Sequence, residues 1–128
     1  MIFNVTWIQR KDKKRQTTEL QDRYMIKVTF LYPNTDGSKF DMDYYLTDHV
    51  DLAKRLLGSA LKGASIDRGL SSIVPGSKPP YHAIGHLLFD SVDAFYEAIG
   101  PHVETLRNDV ANYSENEAVI QISELADA

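Results

Sequence analysis

An α+β fold with the element order β-α-β-β-α-β, the split βαβ arrangement of ferredoxin-like domains, is what this chain predicts. Three observations carry the prediction. Four runs rich in β-branched and aromatic residues occur at 26–31, 61–70, 81–89 and 118–123. Two stretches between them, starting at 41 and at 91, keep apolar residues at helical spacing. The chain has 128 residues, one domain's worth.

The first strand reads Ile26-Lys27-Val28-Thr29-Phe30-Leu31, and Pro33-Asn34-Thr35-Asp36-Gly37 ends it with turn-forming residues. The first helix spans 41–58. Asp41 and Asp43 sit where the positive end of the helix dipole favours anions. Lys54 and Arg55 lie in its last turn, and Gly58 suits the stop. Met42, Leu46, Val50, Ala53 and Leu57 share one stripe, and Tyr45, His49, Leu52 and Leu56 a second, so the helix is apolar over a wide arc. The second strand, 61–70, leads into a loop at 71–80 crowded with Ser, Pro and Gly. The third strand, 81–89, is apolar on both faces. Ser91 caps the second helix, whose inner stripe is Ala94, Phe95, Ala98 and Ile99. Gly100-Pro101 breaks it into a kink or two helices in series. The fourth strand is Ala118-Val119-Ile120-Gln121-Ile122-Ser123.

Composition narrows the function classes. There is no cysteine, which removes disulfides, thiolate nucleophiles and iron–sulfur clusters. The formal net charge of −4 speaks against a nucleic-acid or anionic-membrane binder. No apolar run approaches the ~20 residues that cross a bilayer, so a cytoplasmic protein is expected. Residues 1–24 differ from the rest: six Lys or Arg stand against three Asp or Glu. They read as a basic extension or β-arm, with Phe3, Val5 and Trp7 alternating inward, ahead of a domain at 25–128. The apolar run at 2–8 is too short for a secretory signal, and its charges follow rather than precede it. Two helices cover one face of a four-stranded sheet only. Strands apolar on both faces then predict that a second copy covers the other, making a homodimer.

From Met25 onward the chain resembles the EthD family of dimeric α+β barrel proteins. The likeness rests on Ile26-Lys27-Val28, on Asp43-Tyr44-Tyr45 followed by His49, and on Leu56-Leu57-Gly58. It continues in His86-Leu87-Leu88-Phe89 leading into Ser91-Val92-Asp93-Ala94-Phe95, and in Gly100-Pro101-His102. The resemblance implies a small dimer with a pocket between sheet and helices in each subunit. The founding EthD protein is associated with ethyl tert-butyl ether degradation beside a cytochrome P450 system. Other barrels of this kind resemble cyclases, lactone isomerases, decarboxylases and cofactor-free monooxygenases. Members often carry proline two residues after the helix histidine, where this chain has Asp51.

His49 is the leading catalytic candidate, because a histidine in an apolar pocket can be tuned toward neutral pH by its surroundings and move protons. His86, on the third strand, is the second, expected to meet His49 across the pocket. Tyr45, Tyr44, Tyr32 and Tyr81 are candidates to orient a ligand oxygen. His82 and His102 read as surface residues. There is no metal-ligand spacing such as H-E-x-x-H and no G-x-G-x-x-G or P-loop fingerprint, so neither a metal nor a cofactor is expected. Together with these residues, the EthD resemblance implies a cofactor-independent enzyme, of oxidoreductase or lyase/isomerase type, acting on a small hydrophobic oxygen-bearing compound. The alternative is a non-catalytic binding or accessory protein of a monooxygenase system.

Overall fold

The computed structural model describes residues 25–126. The expected β-arm and basic run at 1–24 lie outside the described residues. From there the chain runs β1 (Ile26–Pro33), α1 (residues 42–57), β2 (Gly63–Arg68), β3 (Tyr81–Phe89), α2 (Val92–Ile99), α3 (Val103–Val110) and β4 (Val119–Glu124). The strands form one sheet in the order β2-β3-β1-β4, every pair antiparallel. This is the expected ferredoxin-like α+β fold. The two central strands are the longest, because each must pair on both sides and bury its helix-facing residues.

The helix boundaries follow from local chemistry. Asp41 caps α1, its carboxylate accepting from the Tyr44 amide at 3.0 Å. Gly58, at φ +61°, closes it in the left-handed region that favours glycine. Asp51 pairs with Arg55 one turn on, at 3.0 Å, and the helix continues unbroken through this position, where members of the resembled family often carry proline. Ser91 caps α2 by accepting from the Ala94 amide at 3.0 Å. Pro101 has no amide hydrogen to give. The segment Gly100–His102 accordingly tightens into a 3₁₀ turn, and α3 follows in series.

Period two assigns the sheet faces. Val28 lies opposite Leu87 of β3 and Ile122 of β4, and Ala64 of β2 lies opposite Leu87. Ile26, Val28, Phe30, Tyr32, Ala83, Gly85, Leu87 and Phe89 thus face the helices. The outer face is more mixed than the sequence suggested. Leu31, Ile84 and Leu88 alternate there with Thr29, Ser65, Asp67, His86 and Gln121.

The core under the helices is divided. One cluster joins Ile26, Val28, Leu57, Phe89 and Phe95, with Val28 and Phe89 fully enclosed. The other joins Tyr32, Tyr45, Ala83 and Tyr113. Phe30 touches both, yet it and Leu87 are only partly buried although they lie mid-sheet. The middle of the domain is left open. Phe89→Ala is expected to cost about 3–5 kcal/mol in urea unfolding. Ile73→Ala, in the loop and almost wholly exposed, should stay within about 0.5 kcal/mol of the parent.

Candidate functional site

The opening between the two clusters is a cavity of about 610 Å³, within the usual range of small-molecule sites. Its floor is the sheet (Phe30, Tyr32, Ile66, Gly85, Leu87, Ile120). Its walls are α1 (Tyr45, His49, Val50, Ala53, Leu57) and α3 (Val103, Leu106, Val110). The lining is apolar except at one end and at the rim.

One feature of α1 escaped the sequence pattern. Residues Tyr45–His49 form a π-helical turn, in which the Val50 amide reaches the Tyr45 carbonyl. Tyr44 and His49 are five positions apart, about 140° around an ordinary helix. The wider turn brings them toward one side, and both reach Asp109 on α3. The Asp109 Oδ2 lies 2.9 Å from His49 Nδ1. Its Oδ1 accepts from the Tyr44 hydroxyl at 2.7 Å and from Asn112 Nδ2 at 3.0 Å. Burial opposes ionisation of Asp109, but the bonds from Tyr44, His49 and Asn112 outweigh it and hold its carboxyl below the ordinary range. An ionised Asp109 takes the Nδ1 proton of His49 as a hydrogen bond. In the neutral ring that leaves Nε2 as the free acceptor of a side chain that lines the cavity.

The His49 ring stacks on Tyr45 at 5.8 Å and meets Tyr113 at 4.7 Å. Tyr32 and Tyr113 share a hydroxyl–hydroxyl bond of 2.7 Å. Burial raises the phenols of Tyr32, Tyr45 and Tyr113 above their usual value, so all three remain protonated donors at neutral pH. The Tyr45 hydroxyl rests on the sheet at Gly85. A Cβ there would stand 2.5 Å from it, so only glycine leaves room for this approach.

Of the residues expected at the site, His49, Tyr45 and Tyr32 line the cavity. Tyr44 supports it from behind through Asp109. Tyr81 is partly buried and does not line the cavity. His86 does not join His49. It alternates with Gly85 and Leu87, which face the helices, and so points to the outer face. There its Nε2 lies 2.9 Å from Asp67 Oδ2. His82, read as a surface residue, stacks on Phe40 at 5.3 Å and bonds to Ser38. The sequence reading missed Asp109, Asn112 and Tyr113. The signal was present: at i, i+3 and i+4 they form a polar edge beside the Val103–Leu106–Val110 stripe. Among the described residues no three His, Cys, Asp or Glu side chains converge as metal ligands. No helix among them is long and apolar enough to cross a membrane.

Residues 32–117 match the model of the EthD domain. The chain belongs to the EthD family. An EthD-like protein from Ralstonia eutropha JMP134 is 38% identical, with a TM-score of 0.76, over 79% of this chain and 91% of that one. An ethyl tert-butyl ether D (EthD) family protein from Bacillus halodurans C-125 is 15% identical, with a TM-score of 0.61, over 79% and 98%. A conserved protein from Methanosarcina mazei Go1, 12% identical with a TM-score of 0.52 over 82% and 96%, shares the fold. A comparison with curated proteins returned no match. The matched EthD segment contains β3, α1 and α3, and therefore His49, Asp109 and Gly85 together.

Two outcomes follow for the EthD site. The Asp109 carboxyl is depressed in the folded state, so its contribution is complete above the unfolded value near 3.8 and disappears as pH falls through the lower folded value. The stability gap between the parent and Asp109→Asn, from urea melts, should therefore narrow between pH 5 and pH 2. Gly85→Ala should cost about 1–3 kcal/mol by overpacking, and Tyr45→Phe in the same chain should recover part of it.

Proposed function

We propose that this EthD protein is a cofactor-independent enzyme acting on a small hydrophobic, oxygen-bearing compound, with His49 as the proton-transfer group. The observation that carries the reading is the His49–Asp109 pair set in the wall of an apolar cavity. Asp109 holds Nδ1, so Nε2 accepts a proton from the carbon or hydroxyl beside the ligand's oxygen function. The imidazolium that forms gains the Asp109 carboxylate as a counter-charge, and the proton then returns to the product. The Tyr45 hydroxyl donates to the ligand oxygen as charge develops on it. Such proton shuttling suits lyase, isomerase or cofactor-free oxidoreductase chemistry. The family's name refers to ethyl tert-butyl ether, an apolar molecule with one acceptor oxygen, whose polarity matches this lining although it lacks the acidic proton that His49 would take.

Asp109 makes the acid–base reading the better supported one, since a carrier has no need of an oriented imidazole. A binding or accessory protein of a monooxygenase system would need the cavity alone. Incubation with candidate ethers, ketones and hydroxyaromatics separates the two. Product formation supports the enzyme; saturable binding without product supports the carrier. For a compound that turns over, His49→Ala is expected to lower kcat about 10²–10⁴-fold with ligand binding retained. Unchanged turnover removes His49 from the mechanism.

We also propose that the outer sheet face is covered by a second copy, because Leu31, Ile84 and Leu88 form an apolar strip there that the helices do not reach. Sedimentation equilibrium should then report a homodimer, and Ile84→Lys should shift it toward monomer.

A further inference from the structure

We propose that the ligand is a neutral carbonyl compound of one-sided polarity, its oxygen at the Tyr45–His49 end and an uninterrupted apolar body extending toward Leu57, Leu61 and Ala64. This rests on the acid–base reading above and adds the ligand's class and direction.

The cavity's unengaged polar groups are segregated, since Ser114 and Asn116, which also line it, are bonded to each other. Tyr45 and His49 stand together at one end, stacked at 5.8 Å. The Tyr32 hydroxyl beside them is already engaged by Tyr113. The Tyr45 hydroxyl lies within hydrogen-bonding reach of the Tyr32 hydroxyl, and burial keeps it protonated, so its proton is the donor that a ligand oxygen would take over from Tyr32. His49, with Nδ1 committed to Asp109, presents an acceptor. One donor beside one acceptor complements a carbonyl oxygen next to a removable proton, the pattern of an enolisable ketone.

The far end carries no such groups. Leu57, Leu61, Ala64, Leu87 and Ile99 line it. From His49 to Leu57 the helix advances eight residues, about 12 Å, and an apolar body lying along it would bridge the two separate halves of the core. The rim carries Lys54 and Arg107, matched by Glu115 and Glu117, all exposed. The entrance therefore gives an anion no net advantage, and burying one beyond it would cost desolvation without a paired cation. A neutral ligand follows.

Isothermal titration of the full-length protein with 2-pentanone, 2-heptanone, 2-nonanone and 2-undecanone tests this, with nonanoate as the charged comparison. Affinity should rise about three- to fourfold per added methylene, and 2-nonanone should bind at least tenfold more tightly than nonanoate. Ala64→Phe, filling the far end from an exposed strand position, should weaken 2-undecanone about tenfold or more and leave 2-pentanone within about twofold. Leu61→Phe repeats the test at a second position. Tyr45→Phe should weaken every ketone by a similar factor, about five- to tenfold. Equal effects of Ala64→Phe and Leu61→Phe on short and long ketones would overturn the orientation. Tighter binding of nonanoate would overturn the neutral class. Should no ketone bind the parent protein, the cavity reading falls with the proposal. Should ketones bind in the stated pattern while none exchanges its α-hydrogens for deuterium in D₂O, the ligand class stands and only the acid–base role fails.

Discussion

The carboxylate of Asp109 is the constraint around which the site is arranged. A charge only 13% exposed is costly unless its lone pairs are filled. Here three donors fill them, two from α1 and one from the turn after α3. That requirement locks the two helices at one relative position, because Tyr44 and His49 cannot both reach one carboxylate from an ordinary α-turn. The π turn at Tyr45–His49 is the backbone's accommodation. Its consequence is chemical as well as structural, since it settles which nitrogen of His49 carries the proton.

The open middle of the domain has a related origin. A sheet face crossed by helices normally buries its central residues most deeply. In this EthD domain the aromatic cluster of Tyr32, Phe40, Tyr45 and Tyr113 props one end of α1 on the sheet, and Phe89 with Phe95 supports the other. Between the two supports the facing side chains are small or short: Ala53, Val50, Gly85 and Ala64. They cannot fill the space their larger neighbours hold open. The ring props resist collapse, so the cavity is a consequence of residue sizes in the fold and needs no ligand to form.

The fold was legible because its signals are local. The strand limits at Ile26 and Phe89, the Ser91 cap, the Gly58 stop and the break at Pro101 each depend on neighbours within a few residues. His49, Tyr45 and Tyr32 were legible for a similar reason, since polar atoms on apolar helical and strand faces stand out in the pattern. His86 shows where that reasoning stops. Period two correctly placed it with Ile84 and Leu88, but parity alone does not say which face receives the helices. That depends on the right-handed path of the connections and on the register of β1 against β3.

By itself the sequence determined the order of elements, their ends, and a histidine and tyrosine one helical turn apart on an apolar stripe. These follow from backbone propensity and side-chain period, which act over a few residues. The tertiary structure alone decided that Asp109, sixty positions away, would hold that histidine, and that His86 would turn away from it. It also decided that two aromatic supports would leave a hollow between them. Those outcomes depend on distances between elements, set by packing and by the need to satisfy a buried charge, and no local pattern encodes them.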